Sequence, residues 1–281
     1  MTVASMLRSR LRVSPAQQLL GLAMLVGLGA GLGAVGFREL IEFFSWLFFS
    51  QVGSRIANGS RLYLILIPAL GALIFWPIIR YLAPEAKGHG VPEVMEAVSL
   101  RGGRMRPHVV LAKALASAVN IGSGGSVGRE GPIVQIGSAL GSILGQRIGL
   151  SDDRIKTLVA AGAAAGISAT FNAPLAGAFF ALEVILDEFS LGNFSAVVVS
   201  AVVADVVGRA FFGAHASFTL PPEVWRAPIQ LPLYCLLGCL AGIIGVLFAR
   251  TIYRTEDLFE ALHIPAWSKP VVGGLLLGLL A

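Results

Sequence analysis

The chain has 281 residues, 56% of them hydrophobic and 13% charged, with a mean hydropathy of +0.79; soluble domains carry about 25% charged residues. That composition excludes an ordinary soluble domain and predicts a polytopic membrane protein. The net charge of +5 is modest, and its placement says more than its size.

Arg8, Arg10 and Arg12 precede the first apolar segment with no acid among them. The positive-inside bias then puts the N-terminus in the cytoplasm, the expected location being the plasma (inner) membrane. A basic nucleic-acid arm does not fit, because a hydrophobic segment follows within a few residues. The apolar stretch from Leu19 to Phe49 is too long for a cleavable signal and ends in no small-residue cleavage pattern. Residues 17–49 read as one long helix, longer than the roughly 20 residues of a perpendicular span, so it must tilt or run into the interface. Residues 61–83 read as a second span, with Pro68 as a kink and Trp76 and Tyr81 as interface anchors. The 34 glycines are scattered with Ala and Ser through these segments. In lipid such residues let helices pack closely on one another.

From residue 88 the apolar segments become short and are interrupted at their starts. GHGVPEVMEAV at 88–98, VGREGPIVQIGSALGSILG at 127–145 and FNAPLAGAFFALEVIL at 171–186 share one form. Each places a proline, Pro92, Pro132 or Pro174, where a helix would begin, a position at which the missing N–H costs nothing. Each is preceded by residues that permit unusual backbone, mainly Gly and once Asn172 as a possible N-cap. They read as broken helices starting inside the membrane. Unwound backbone at that depth must be buried in protein or line a cavity, and half-helix N-termini facing such a cavity favour an anion.

Residues 107–121, 153–169, 193–212 and 229–253 complete an all-α bundle. Arg101, Arg104 and Arg106 share one short loop, expected on the cytoplasmic side. Cys235 and Cys239 lie four apart in an apolar helix, a spacing that suits packing rather than a metal or a disulfide. No metal or other cofactor is called for. A faint internal repeat pairs Ala30-Gly31, Val35 and Phe37 with Ala241-Gly242, Val246 and Phe248, and Pro68-Gly71-Leu73 with Pro270-Gly273-Leu275. The expected organisation is a single membrane domain over 1–281, with a first repeat at 17–212 and the beginning of a second at 229–281.

The run GSGGSVGREGP at 122–132 lacks the Gly-Lys-Ser/Thr ending of a nucleotide loop. An intramembrane serine hydrolase built on Ser123 or Ser126 would need a base within reach. None of His89, His108, His215 and His263 sits mid-span. Glu130, two residues before Pro132, is an ionisable group in an apolar setting and so a functional candidate. Its carboxylate can accept from the unpaired N–H groups of the helix that Pro132 begins, the same donors that would bind a passing halide. Carboxylate and anion then compete, and protonation or rotation of Glu130 opens the site. A structural pair with Arg129 is the alternative.

GHGVPEV, GREGP and GAAAGISATFNAPLAGAFFALE resemble, in order, three signature regions of the CLC family of voltage-gated chloride channels and proton/chloride exchangers. The resemblance implies an inverted-repeat fold of broken, tilted helices, a homodimer with an interface on the 171–212 helices, and one anion pathway per subunit in the lipid bilayer. It implies transport of chloride or another small monovalent anion, with protons as a second substrate in the exchangers. Glu130 is similar to the family's gating glutamate and Lys113 to a buried lysine that makes the pore electropositive. The amides around Gly90 and Val91, and around Gly128, Arg129 and Gly131, would face the anion.

Two positions depart from the family pattern. His89 stands where the family has a serine that donates to the anion; an imidazole keeps a donor but makes binding pH-dependent. Val184, beside Glu183, stands where exchangers often carry an internal proton glutamate, and an apolar residue there resembles the channels. The expectation is a chloride channel gated by Glu130, with a proton-coupled chloride antiporter as the alternative. A G-x-F-x-P region and a late tyrosine, family pore elements of the second half, do not occur before Ala281. The chain therefore reads as the N-terminal half of a longer transporter.

Overall fold

The computed structural model of the chain describes residues 14–56, 63–82, 90–214, 228 and 230–280, and every regular element among them is helical. In chain order these are α1 (Pro15–Ser45), α2 (Tyr63–Pro77), α3 (Val91–Leu100), α4 (Pro107–Gly122), α5 (Glu130–Ile148), α6 (Asp152–Phe171), α7 (Pro174–Phe180), α8 (Leu191–Phe212), α9 (Gln230–Ala261) and α10 (Ser268–Leu280). Wider π-helical turns extend α1 over Trp46–Val52, α2 over Ile78–Leu82 and α7 over Ala181–Leu186, and a single helical turn, Gly53–Ile56, follows the first of them. Among the described residues four segments are long and apolar enough to cross a membrane: Pro15–Val52, Tyr63–Leu82, Gly192–Phe212 and Gln230–Ala261.

Helix α1 starts where its caps dictate. Ser14 Oγ accepts from the Gln17 backbone N–H at 3.3 Å, and Gln17 Oε1 accepts from the Ser14 N–H at 3.0 Å, a reciprocal capping box that satisfies two otherwise free donors. Its buried face, Ala23, Val26, Gly27, Ala30, Gly31, Ala34 and Phe37, recurs at three- and four-residue steps. Gly27 lies on the Ser200 backbone and Gly31 on Ala204 and Val207 of α8. Pro68, the expected kink, lies inside α2 and the helix continues through it to Pro77.

The core is the pair α5 and α6. Gly137 and Gly162 touch backbone to backbone, and Gly141 meets the Leu158 carbonyl. Van der Waals contact at this range is what drives helix association in lipid, where a larger side chain would hold the backbones apart. Helix α6 is buried at Ala160, Ala161, Ala163, Ala164 and Ala165, so the alanine run of the sequence is its packing surface on every side. Polar side chains bind across helices: Ser168 Oγ donates to the Ala201 carbonyl at 2.7 Å. Ser142 Oγ donates to the Gly103 carbonyl at 2.6 Å and accepts from the Met105 N–H at 2.8 Å. The arginine loop at 101–106 is thereby pinned to α5.

Two boundaries differ from expectation. Helix α5 begins at Glu130 rather than Pro132, because the first turn of a helix has no use for its N–H groups and so accepts proline beyond its first position. Glu130 is thus inside the helix whose donors it was expected to cap from outside. Asn172 is not an N-cap; at φ 55° it closes α6 in the left-handed conformation, and Ala173 caps α7. Asparagine tolerates that conformation where most residues do not.

Two compact units divide the chain, residues 1–217 with 270–281 and residues 218–269. In the first, Gly274 and Gly278 of α10 lie on the backbones of Pro68 and Ile65. The second is built on α9, which buries none of its residues. Cys235 and Cys239 are accordingly exposed rather than packed. The two faces compared as a repeat differ in burial: Ala30, Val35 and Phe37 are in the core, whereas Val246 and Phe248 are exposed.

Candidate functional site

Helix α3 opens on Gly90, whose φ of 90° no other residue adopts cheaply, with Pro92 in its first turn. A Cβ on Gly90 would stand 2.6 Å from the Gly131 carbonyl oxygen. The first turns of α3 and α5 therefore meet backbone to backbone, which joins GHGVP to GREGP across 41 residues of sequence. Each turn carries N–H groups with no partner inside its own helix. A half-helix start holds about half a positive charge, and two starts in contact add their fields at one point.

Glu130 is the first residue of α5, and its carboxylate folds back over Gly128. Glycine at 128 is what leaves room for it, since a Cβ there would collide with Glu130 Oε2. Arg129 caps the helix with its backbone and sends its guanidinium 5.4 Å from the centre of the Phe171 ring. No ion pair between Arg129 and Glu130 occurs among the described residues. The second and third motifs are thus linked through Arg129 and Phe171. Arg129 also lines a cavity of about 340 Å³ with Arg38, Asp205 and Arg209.

Lys113 is 4% exposed in α4. Its charge interacts with that of Glu93 in the first turn of α3. Val91 follows Gly90 as the first helical residue of α3. His89 lies outside the described residues. Val184 and Glu183, in the turn that extends α7, line a separate cavity of about 890 Å³ with Asp187, Glu188, Arg154 and Lys156. Ser123 is buried and donates to the Asn120 carbonyl at 3.0 Å, while Ser126 is exposed. No bond from either serine to a histidine occurs among the described residues.

Two residues that sequence reasoning missed belong to this neighbourhood. Glu93 Oε2 and Gln135 Oε1 are buried without a hydrogen-bond partner among the described residues, and both line one cavity of about 180 Å³. The signal for Gln135 was present: it is the polar residue inside PIVQIGSAL, one and a half turns beyond Glu130.

The family described as voltage gated chloride channel matches residues 70–281. A ClcB-like chloride channel protein of Ralstonia nicotianae is 31% identical over 270 residues, covering 94% of this chain and 63% of its own. The H(+)/Cl(-) exchange transporter ClcA of Vibrio vulnificus is 37% identical over 266 residues, covering 92% of this chain and 56% of its own. The chain thus spans 56–63% of the length of these two relatives. Among solved structures, a slow cyanobacterial Cl-/H+ antiporter superposes with a TM-score of 0.80 at 26% identity, covering 95% of this chain and 64% of its own. A CLC-type fluoride/proton antiporter reaches the same TM-score of 0.80 at 23% identity, covering 95% and 66%, a likeness of fold.

Proposed function

Because this chain belongs to the family of voltage-gated chloride channels, a family of membrane proteins, we propose that the complete protein carries chloride across the membrane in exchange for protons, gated by Glu130. The observation that carries this reading is the contact of Gly90 with Gly131, which brings two half-helix starts together beside the Glu130 carboxylate. When ionised, that carboxylate competes with chloride for the free amides of the two turns. When protonated, it no longer accepts from them and chloride enters. One side chain then serves both ions, and chloride binding takes up a proton. Gly90, Val91, Gly128, Arg129 and Gly131 supply backbone donors, His89 adds an imidazole N–H, and Lys113 sets the sign of the field.

Exchange is favoured over a passive channel by the names of two relatives, an H(+)/Cl(-) exchange transporter and a Cl-/H+ antiporter, against one named as a chloride channel protein. Val184 is the observation on the side of a channel, since it holds no proton where exchangers often have a glutamate. The orientation we propose has the N-terminus and the 101–106 loop in the cytoplasm. Leu175, Phe179, Phe194, Val202 and Val206 leave large apolar surface exposed on α7 and α8, and we assign it to the interface of a homodimer. The organisation we propose is a first repeat at 17–212 and the beginning of a second at 229–281, in a class of transporter whose sites form between two complete repeats.

The test is chloride efflux from liposomes carrying the complete gene product, with external pH recorded together. Proton movement against its gradient, driven by chloride, is expected. Chloride efflux with no proton movement would make the protein a channel.

A further inference from the structure

Exchange, the reading on which this inference rests, needs a path for protons from the inner surface to Glu130, and Val184 cannot carry one. Glu183 beside it lines the wide 890 Å³ cavity on the side of α3 that bears Met95, Val98 and Ser99. A second cavity lies on the side of α3 that bears Glu93, Glu96 and Ala97. Its rim is the exposed loop with Arg101, Arg104 and Arg106, and its inner end is Gln135, which is 1% exposed. The rim charges are occupied: Arg101 pairs with Glu96 at 2.5 Å and Arg104 with Asp152 at 2.9 Å. Two oxygens at the inner end lack a hydrogen bond. Glu93 Oε2 and Gln135 Oε1 are both acceptors, buried and unpartnered among the described residues.

The two oxygens, both acceptors, do not satisfy each other as placed, and the Gln135 amide N–H donates to an ionised Glu93 only if the amide turns. An ionised Glu93 needs a donor such as water, and a protonated Glu93 becomes a donor itself, with the Gln135 carbonyl as an available acceptor. A volume of about 180 Å³ holds several waters at about 30 Å³ each. The charged groups around Glu93 are Lys113 from α4, Glu96 on its own helix and the three arginines of the rim, while α5 presents the neutral Gln135.

Position points the same way. Gly90 and Gly131 touch, and Glu93 and Gln135 lie three and four residues further along their helices, about 4.5 and 6 Å at 1.5 Å per residue. The acceptor pair is one turn inward from the place where the two half-helices meet.

We propose that Glu93 is a proton-transfer residue on the inner side of the anion site, reached by water through the cavity under the Arg101–Arg106 loop. Its carboxylate takes a proton from water at the inner surface, with Gln135 accepting from the new O–H or from a bridging water. The proton then passes through water to the Glu130 carboxylate, and Glu93 returns to its ionised form. No oxidant, metal or cofactor enters the step.

The experiment uses the complete gene product in liposomes, with a chloride gradient driving uphill proton movement, for wild type, Glu93→Gln, Glu93→Asp and Gln135→Leu. Glu93→Gln is expected to lower proton movement by about a hundredfold or more, the scale of losing one positioned acid–base group, while chloride flux persists. Glu93→Asp should keep proton movement, and Gln135→Leu should lower the proton-to-chloride ratio. An unchanged ratio in Glu93→Gln beside a coupled wild type would overturn the assignment and leave the exchange reading intact. Loss of both fluxes in Glu93→Gln and Glu93→Asp alike would overturn it in favour of a structural role. A wild type that moves chloride without protons would overturn the exchange reading itself.

Discussion

The Cα of Gly90 rests against the carbonyl of Gly131, and this one contact fixes how the first turns of α3 and α5 face each other. Alanine at 90 meets two penalties, a left-handed backbone at φ 90° and a methyl 2.6 Å from a carbonyl oxygen. Gly90→Ala is expected to cost about 1–2 kcal/mol for the backbone alone, with more from the collision. Thermal unfolding in detergent, read together with chloride flux per folded protein, checks it. Flux should fall further than stability accounts for, because the displaced turn is the one that presents the amides.

Glu130→Ala removes the carboxylate from above Gly128. The expected result is chloride flux that persists, loses its dependence on external pH and no longer moves protons. Flux recorded across a series of external pH values compares the variant with wild type. A variant that retains the wild-type pH profile would show that Glu130 is not the gate.

The close approach of α5 and α6 predicts a contrast between two glycines. Gly137→Ala forces a methyl into the Gly162 carbonyl, whereas a methyl on Gly21 meets nothing within 4 Å. Overpacking of the first kind costs about 1–3 kcal/mol. Gly21→Ala should be neutral or stabilising by up to about 1 kcal/mol, since alanine is the better helix former. Melting temperatures of the two variants in one detergent give the comparison directly.

Ser142 anchors the arginine loop through the Gly103 carbonyl and the Met105 N–H. Ser142→Ala leaves both groups without that partner, at about 1–3 kcal/mol. The loop should then open more often, and trypsin should cleave at Arg101, Arg104 or Arg106 faster than in wild type. Limited proteolysis followed by mass analysis locates the cut.

Much of this fold was legible because glycine and proline punctuate it. Pro92 and Pro174 marked helix starts to within a residue, and the small residues of 137–145 and 160–166 pointed to helices that pack closely. Helix α5 starts two residues before its expected place because proline is tolerated deeper in a first turn than its usual position suggests. Asn172 ends a helix instead of beginning one because its short polar side chain suits both a cap and a left-handed stop, and sequence alone does not choose between them. At the site, Glu130 stood out by residue type against an apolar background, whereas Gly90 and Lys113 stood out only through the resemblance of their motifs. Glu93 did not, because an acid in a first turn has an ordinary reason to be there. Its significance depends on Gln135, 42 residues away, sharing its cavity, a relation that only the folded chain displays.

The competition between Glu130 and chloride for one set of amides is most directly tested by calorimetric chloride binding to the complete gene product in detergent, comparing wild type with Glu130→Gln. Glutamine keeps the shape and removes the charge, so the variant should bind chloride more tightly than wild type at neutral pH, and wild type should approach it as the pH falls. Equal affinities for the two proteins across the pH range would contradict the account.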